Sequence, residues 1–219
     1  MVNENQKKLV SECSPQTTLH PNSPETSLIL ELTSITEPIP LNRIFLRPQP
    51  VEVDLGCGDG GFLLKYAALH PERNFIGVER LLGRLKKLDR KGRRAGLTNI
   101  RGVRIECGYF VRYLLPPSSI HALHIYFPDP WPKKKHKKHR LINETFPTAA
   151  ARVLVPSGRV YIRTDHGEYF QQILEVFGAD RRFVPVETPQ ELLAVPTDFQ
   201  LEFESKGLPI HYAAFELRL

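Results

Sequence analysis

Short apolar runs alternate along the chain with longer segments in which apolar positions recur at helical spacing. The runs predict strands at residues 51–55, 74–78, 100–105, 120–127, 159–164, 183–186 and 210–217. The segments between them predict helices at residues 61–70, 81–95, 141–154 and 168–177. Strands separated by helices pair in parallel, so the pattern predicts an α/β fold with a doubly wound, mostly parallel sheet of seven strands and helices on both faces.

The two ends of this pattern differ from its centre. Residues 1 to about 27 are rich in Ser, Thr, Pro, Asn and Glu, and they offer too little apolar surface to offset the entropy of ordering. Residues 28–32 fit a short strand or a packing segment, and a Pro-rich connection is expected around residues 197–207. We therefore predict an N-terminal extension at 1–40, partly disordered or extended, followed by one domain at 41–219.

Composition narrows the class of partner. The chain has 219 residues, and its 30 Lys and Arg against 24 Asp and Glu give a formal net charge of +6, which favours a polyanionic partner. The sequence shows no signal-peptide core and no apolar run near the roughly 18 residues of a membrane span. We expect a cytoplasmic protein without membrane contact, either a monomer or a homodimer. Cys13, Cys57 and Cys107 are odd in number and far apart, which predicts free thiols.

A glycine-rich turn lies where the strand at 51–55 meets its helix. Gly56, Gly58 and Gly61 have the G-x-G-x-x-G spacing that lets the backbone pass close to a nucleotide-like ligand, either NAD or S-adenosylmethionine. Asp54, just before the glycines, would repel the pyrophosphate of NAD. By contrast, Asp54 and Asp59 attract the ammonium and sulfonium groups of S-adenosylmethionine. The turn therefore favours S-adenosylmethionine.

Glu79 closes the second predicted strand of the domain. An acid at this place accepts hydrogen bonds from both ribose hydroxyls in either cofactor class, so it supports nucleotide binding without selecting the cofactor. Asp54 and Glu79 also fit a structural role, since acidic side chains commonly cap helix N-termini. Their combination with the glycine turn favours ligand binding.

Residues 126–140 join a proline-rich turn to a basic run. Three prolines are expected to push Asp129 and Trp131 toward extended geometry and to hold both in a stiff loop at the carboxyl end of the sheet. The alternative is a simple connection in which Trp131 is a packing plug. Residues 133–140 place six Lys or Arg in eight positions, which suits the phosphates of a nucleic acid. His136 and His139 lie among these lysines without further ligands, so no metal is expected.

The predicted helix at 81–95 carries a second basic surface. Its cations recur three or four residues apart and share one face with the residue just before the helix: Arg80, Arg84, Lys87, Lys91 and Arg94. The adjoining apolar stripe, which is expected to face the core, consists of Leu81, Leu85, Leu88 and Ala95. The basic face fits either a contact with RNA or a solubilising surface.

Residues 127–141 resemble the signature of the bacterial tRNA (guanine-N7)-methyltransferases. The likeness extends from about residue 44 to residue 217, through the glycine turn, Gly77-Val-Glu79, Arg163-Thr-Asp165 and Thr197-Asp-Phe-Gln200. It implies the Rossmann-like sheet of class I methyltransferases, with S-adenosylmethionine as methyl donor and tRNA as partner. The reaction that it implies is methyl transfer to N7 of a guanine in the tRNA variable loop.

The resemblance also implies roles for particular residues. The cofactor-binding residues, including the glycines of the turn, are Asp54, Gly56, Gly58, Glu79, Glu106 and Asp129. Asp129 is also placed at the reaction centre, as the catalytic residue. The implied substrate contacts are Lys133, Asp165, Thr197 and Gln200.

Three of these positions depart from the family pattern. Asp54 stands where Glu is usual, and Glu106 stands where Asp or Asn is common. Gln200 replaces a Glu and cannot supply its negative charge. The substrate is therefore read at this place either through the amide or through neighbouring Asp198 or Glu202.

The implied reaction needs no general base. Guanine N7 carries a free lone pair, so it can attack a sulfonium methyl group without prior loss of a proton. The protein must align the reacting atoms and offset the positive charge that arrives on the purine, for which Asp129 and Asp165 are the candidates. Two other functions stay open: an NAD-dependent oxidoreductase that uses the glycine turn, and a non-catalytic RNA-binding module on a methyltransferase fold.

Overall fold

The computed structural model describes residues 27–218, and eight strands in this part of the chain form one sheet. The strands are β1 (Ile29–Leu30), β2 (Val51–Leu55), β3 (Asn74–Val78), β4 (Ile100–Val103), β5 (Ile120–Tyr126), β6 (Leu154–Thr164), β7 (Phe183–Val186) and β8 (His211–Leu217). Their order across the sheet is β1-β4-β3-β2-β5-β6-β8-β7. Pairing is parallel except that β8 runs antiparallel to both β6 and β7. The predicted α/β class with a mostly parallel sheet is therefore confirmed.

Helices connect the strands. The α-helices are α1 (Leu41–Ile44), α2 (Gly61–Leu69), α3 (Leu82–Arg94), α4 (Cys107–Tyr109), α5 (Phe146–Val153), α6 (Gly167–Gly178), α7 (Gln190–Leu193) and α8 (Asp198–Ser205). A π-helical turn at Phe110–Leu114 continues α4, and a 3₁₀ helix occupies Lys134–His139. The core lies on both faces of the sheet, because α5 and α6 pack on one face through Phe146 and Phe177, while α2 and α3 pack on the other through Phe62 and Leu88.

Side chains of the central strands alternate between these two faces. On β2, Val53 enters the core on the α5 and α6 side, whereas Glu52 and Asp54 point to the other side. On β5, Leu123 belongs to the first side and His124 to the second. The face that carries α2 and α3 therefore also carries buried polar groups, and these groups surround the candidate site.

The predicted count of seven strands is wrong, because β1 adds an eighth at the edge of the sheet. Its residues pair in parallel with β4, and Gly102 donates its N–H to the carbonyl of Leu28 at 2.9 Å. Leu28 is buried and lies over Gly92, where an added Cβ would approach its Cδ1 to 2.6 Å. Of the two alternatives for residues 28–32, the short strand is therefore confirmed, and its pairing depends on these tertiary contacts. The predicted tail lies outside the described residues except at Ser27.

The helix predicted at 141–154 is wrong in its first turns, since α5 begins only at Phe146. Pro147 lies in the first turn, which tolerates proline, whereas the interior of a longer helix would lose a hydrogen bond there. In addition, β6 begins at Leu154 rather than at residue 159.

The connection predicted around 197–207 is also wrong, because most of it is the helix α8. Thr197 caps this helix, and its Oγ1 accepts the N–H of Gln200 at 2.9 Å. The apolar residues of α8 do not form a buried stripe, since Phe199 and Leu201 are both about half exposed. The segment therefore lacks the amphipathic spacing by which a helix is recognised.

Candidate functional site

The predicted acids lie at one edge of the sheet. The parallel strands end in register, with Leu55 opposite Val78 and Val78 opposite Val103, so their carboxyl ends meet at this edge. The acids lie at or shortly after the ends of β2 to β6, in chain order Asp54, Glu79, Glu106, Asp129 and Asp165. The chain changes direction across the sheet between β2 and β5, and such a switch point opens a crevice at the carboxyl ends of the strands.

The glycine turn follows β2 at this switch point. Gly56, Gly58 and Gly60 have φ values of 91°, 58° and 85°, in the left-handed region that a side chain would strain. The N–H groups of Gly56 and Cys57 donate to the carbonyl of Val78 at 2.9 and 3.0 Å, which fixes the turn to β3. An added Cβ at Gly56 would meet no atom within 4 Å. The backbone at Gly56 therefore faces open space in which a ligand can approach closely.

A cavity of about 290 Å³ lies between this turn and α8. Such a volume is at the lower end of the range for small-ligand sites. The cavity is lined by residues of β2, the glycine turn, α2, α3, β5 and α8: Asp54, Gly56, Cys57, Gly58, Asp59, Gly61, Phe62, Arg84, Lys87, Tyr126, Phe127, Thr197, Asp198, Phe199 and Glu202. Of the predicted site residues, four are on this lining: Asp54, Gly56, Gly58 and Thr197. The other six lie outside it: Glu79, Glu106, Asp129, Lys133, Asp165 and Gln200.

Asp54 is the most strongly perturbed acid in the cavity. It is the next-to-last residue of β2 and is only 4% exposed. Burial raises the pKa of Asp54 to about 7, against the opposing effect of the Arg163 guanidinium and with a further increase from Glu79. A cationic ligand in the cavity would favour the ionised carboxylate.

Glu79 and Glu106 both bind backbone N–H groups next to helices. Glu79 accepts the N–H of Leu81 at 2.8 Å, just before α3, and lies 3.8 Å from the guanidinium of Arg84. Glu106 caps α4, where its carboxylate accepts the N–H groups of Gly108 and Tyr109 at 2.7 and 2.6 Å. The capping role considered for Glu79 is met only in part, because the N-cap of α3 is Leu81 and Glu79 binds the N–H of this residue. Asp54, by contrast, caps no helix in the described part of the chain.

Two bulky residues on either side of Asp129 have left-handed backbone conformations. Phe127 and Trp131 have φ values of 53° and 42°, although each precedes a proline. The prediction that Trp131 is extended is therefore wrong. Strain of this kind costs on the order of 1–3 kcal/mol per residue and persists only where the surroundings fix it, often at functional sites. Here Phe127 donates its N–H to the carbonyl of Arg163 at 2.8 Å. Asp129 is exposed between these two positions.

Trp131 lies against the basic run and not in the core. It is 36% exposed, and its ring lies 5.9 Å from the ring of His136 and 5.4 Å from that of His139. The alternative of a buried packing plug is therefore wrong. Its exposed ring is accessible to a base.

The cations of the basic run at residues 133–140 divide into a buried or paired group and an exposed group. Arg140 is only 1% exposed, and its Nε donates to the carbonyl of Pro130 at 2.7 Å while its guanidinium lies 4.6 Å from the ring of Tyr169. Lys137 is paired with Glu168 at 2.5 Å. The interpretation of Arg140 as a phosphate contact is thus corrected, because this side chain supports the Asp129 loop from beneath. The exposed cations of the run are Lys133, Lys134, Lys135 and Lys138.

Gln200 lies inside the protein. It is 6% exposed, its Oε1 accepts from Arg163 at 3.0 Å, and its Nε2 donates to Tyr212 and Glu204 at 3.0 and 2.8 Å. Thr197, three residues earlier, reaches the cavity wall. Asp165 is half-buried directly after β6, next to His166, which caps α6. The predicted substrate contacts are therefore distributed between the cavity, the interior and the rim.

Arg163 is a site residue that sequence reasoning did not assign. It is buried, its guanidinium lies 4.3 Å from the ring of Tyr126, and it donates to the carbonyls of Val195 and Leu192. Arg163 thereby links the sheet to α7 and α8 and places a positive charge near Asp54. The available signal was a charged residue directly after the apolar positions 160–162 of a predicted strand. The sequence also assigned no cofactor contact to α8, because this segment was expected to be irregular. Three of its residues line the cavity: Asp198, Phe199 and Glu202.

A buried polar chain lies behind the cavity wall. His124 holds the carboxylate of Glu52 at 2.8 Å through Nε2 and the hydroxyl of Tyr126 at 2.9 Å through Nδ1. Arg73 donates to the other oxygen of Glu52 at 3.0 Å. Burial alone would raise the pKa of Glu52, but His124 and Arg73 outweigh it and lower that pKa. The chain thus holds Tyr126 in place at the cavity wall.

Other features of the described residues bear on the expected partners. Cys57 and Cys107 are free, as predicted, and Cys13 lies outside the described residues. Between residues 27 and 218 there is no cluster of three or more His, Cys, Asp or Glu suited to a metal ion. The helices of this same part of the chain include none that is long and apolar enough to cross a membrane.

Comparison with known proteins agrees with this geometry. A family model described as "Putative methyltransferase" matches residues 48–213. A tRNA (guanine-N(7)-)-methyltransferase of Halorhodospira halophila is 36% identical over 185 residues, which cover 82% of this chain and 80% of the relative. The chain belongs to the tRNA (guanine-N7)-methyltransferase family. A second relative of that family, from Rubrobacter xylanophilus, is also 36% identical, over 80% of this chain and 79% of the relative.

Solved structures support the same fold for this member of the family. The 16S rRNA methyltransferase KamB superposes with a TM-score of 0.57 at 14% identity and covers 78% of this chain and 89% of its own. The 30S ribosomal A1408 methyltransferase from an uncultured bacterium gives a TM-score of 0.55 at 20% identity, over 82% of this chain and 92% of its own. At these identities the likeness concerns the fold alone.

Proposed function

We propose that the protein transfers a methyl group from S-adenosylmethionine to N7 of a guanine in the variable loop of tRNA. The observation that carries the proposal is the buried Asp54 beside an open glycine turn, at the switch point next to the exposed Asp129 loop. Curated relatives at 30–36% identity are named tRNA (guanine-N(7)-)-methyltransferases. A tRNA substrate also supports the predicted cytoplasmic location.

The cavity fits a cationic, phosphate-free cofactor. Its wall combines Asp54 and Asp59 with Asp198 and Glu202, and acids at these positions attract an ammonium or a sulfonium group. The carboxylate of Asp198 lies against Gly61, the first residue of α2. The pyrophosphate of NAD would need that helix N-terminus, so the structure disfavours the oxidoreductase alternative.

S-adenosylmethionine, when bound, supplies an electrophilic methyl group on its sulfonium. Asp54 would face the positive charge of this cofactor, and the turn at Gly56 and Gly58 would let the backbone approach it. Glu79 follows β3 at the same edge and offers its carboxylate to the ribose hydroxyls. Glu106 follows β4 and lies next along this edge.

The residues after β5 and β6 would handle the guanine. Asp129 lies in a loop that is anchored by hydrogen bonds from Phe127 to Arg163 and from Arg140 to Pro130, so its carboxylate would have a defined position when the base enters. Asp129 and Asp165 offset the positive charge that N7 methylation places on the purine. The exposed side chain of Lys133 binds a phosphate of the RNA.

The test is a methylation assay with labelled S-adenosylmethionine and tRNA transcripts, followed by mapping of the labelled nucleotide. We expect N7-methylguanine in the variable loop. Asp129→Asn should lower the single-turnover rate about 10²-fold or more, because a fixed charge at the reaction centre is lost. Glu144→Gln is a matched control, since this exposed carboxylate follows the same basic run. Label on another base, or a normal rate for Asp129→Asn, would contradict the proposal.

A further inference from the structure

We propose that one face of α3 is a second binding surface for the tRNA backbone, on the opposite side of the cavity from the Lys133–Arg140 run. This α3 basic face consists of Arg84, Lys87, Arg90, Lys91 and Arg94. The inference rests on the proposed function, because it assumes that a guanine of a tRNA reaches the cofactor in the cavity.

The position of the face follows from the packing of α3. Leu85 and Leu88 are fully buried against the sheet, and Leu85 would contact a Cβ added at Gly102 of β4 at 3.1 Å. The cations therefore project away from the sheet. From Arg84 to Arg94 they extend over ten residues, which corresponds to about 15 Å of helix. Arg84 and Lys87 line the cavity, so the α3 basic face begins at the cavity rim.

The charge of this face is only partly balanced. Arg84 faces Glu79 at 3.8 Å, and Lys91 pairs with Asp59 at 2.8 Å. Arg90 and Arg94 form no ion pair with any residue between 27 and 218. Both are exposed and lie four residues apart on one face, where like charges repel each other.

A solubilising role accounts less well for this pattern. Solubility is served by surfaces that mix both signs of charge. On α3, however, the single acid is Asp89, which is buried and accepts the N–H of Leu28 at 2.6 Å. A helix surface with cations alone instead matches a polyanion, whose phosphates relieve the repulsion between neighbouring arginines.

The sheet order places the two basic surfaces on opposite sides of the site. The cavity lies at the switch between β2 and β5. The helix α3 connects β3 to β4 on one side of this switch. The Lys133–Arg140 run follows β5 on the other side, where Lys137 pairs with Glu168 of α6. A guanine at the Asp129 loop, beside the cavity, would therefore have RNA backbone leaving over both surfaces.

The test neutralises the end of the α3 basic face that is remote from the cavity, in the variant Arg90→Gln/Arg94→Gln. Each lost phosphate contact should reduce the slope of log Kd for tRNA against log salt by about 0.7 to 0.9. Two lost contacts then weaken tRNA binding about fifteenfold to thirtyfold at roughly 0.15 M salt. The affinity for S-adenosylmethionine, measured by calorimetry, should stay unchanged because neither arginine lines the cavity.

The matched control is Arg43→Gln/Arg181→Gln, which removes the same charge from the opposite face of the sheet. Both residues are exposed and lie beside elements that pack on the α5 and α6 side. This control should bind tRNA like the wild type. Equal weakening of both double variants would reduce the effect to net charge and overturn the proposal, and so would an unchanged salt slope for the α3 variant. If the wild-type protein forms no N7-methylguanine, the proposed function fails instead.

Discussion

The pKa of Asp54 predicts that cofactor binding depends on pH near neutrality. Burial is the main cause that raises this pKa from 3.8 to about 7, with Arg163 opposing and Glu79 adding to the rise. Without a ligand, about half of the molecules therefore carry a protonated Asp54 at pH 7. The carboxylate is the form that attracts a sulfonium or ammonium group, so binding must remove this proton.

The size of the effect follows from that pKa. If only the carboxylate form binds, the apparent Kd scales with 1 + 10^(pKa − pH), which is about 11 at pH 6 and about 1.1 at pH 8. The affinity for S-adenosylmethionine should therefore rise about tenfold between these pH values, with release of close to one proton per cofactor at pH 6. Asp54→Asn should bind the cofactor weakly and without this pH dependence.

Calorimetry in buffers of different ionisation enthalpy measures both the Kd and the number of protons released. Asp59→Asn is the control, because the hydrogen bond from Lys91 lowers the pKa of Asp59 and keeps it ionised throughout this range. Its pH dependence should match that of the wild type. A wild-type Kd that is constant from pH 6 to 8, or a pH dependence that survives in Asp54→Asn, would refute the reasoning.

The same shift has a consequence for stability that separates weak binding from misfolding. Because the folded pKa lies above the unfolded value, the unfolded chain releases this proton first as pH rises from about 4 to 7, and stability falls through that window. At about 1.4 kcal/mol per pKa unit, the ionised Asp54 costs roughly 4 kcal/mol above pH 7. Asp54→Asn should therefore be more stable than the wild type at pH 8, by up to that order of magnitude.

Two further changes test how the site is supported. His124→Ala should lower the free energy of unfolding by about 2–4 kcal/mol in urea titrations, because Glu52 and the Tyr126 hydroxyl lose a buried partner. His121→Ala, on the same strand but exposed, loses only the 3.3 Å hydrogen bond from the Val51 N–H and should cost about 1 kcal/mol. Equal losses would argue against the buried chain. Arg140→Lys should reduce kcat about tenfold to hundredfold with an unchanged Kd for the cofactor, because the carbonyl of Pro130 loses its anchor. Arg152→Lys, which also loses guanidinium contacts to backbone carbonyls but far from the site, should keep the wild-type kcat.

Strand positions were predictable where burial on both faces gives a continuous apolar run. The bounds of β2 and β3, which are buried along their whole length, agree with the prediction to the residue, and Pro50 and Gly56 delimit β2. The bounds of the edge strand β7 also agree, although this strand is only partly buried. The class of fold follows from these strands and the helices between them. By contrast, residues 28–32 fitted either a short strand or a packing segment, because the pairing of β1 depends on the contact between Leu28 and Gly92 at the sheet edge.

The location of the site was predictable for a geometrical reason. Parallel strands put their carboxyl ends at one edge, so acids that follow consecutive strands must share that edge whatever the helices do. The conformations of Phe127 and Trp131 were not predictable, because proline alone favours extended geometry at the preceding residue. Only the tertiary contacts of the loop, through Arg163 and Arg140, allow both residues to stay in the left-handed region.

The buried contacts around Arg163 explain why position 200 carries Gln where the family pattern has Glu. Its amide accepts a hydrogen bond from Arg163 and donates to Glu204 at 2.8 Å and to Tyr212 at 3.0 Å. A carboxylate can accept from Arg163 but cannot donate, so a Glu at this position would place two negative oxygens in contact with each other. The amide at 200 and the acid at 204 therefore fit one another, and together they hold Arg163 beneath α8. Because Arg163 in turn limits the rise in the pKa of Asp54, Gln200 acts on the cavity from the interior without lining it.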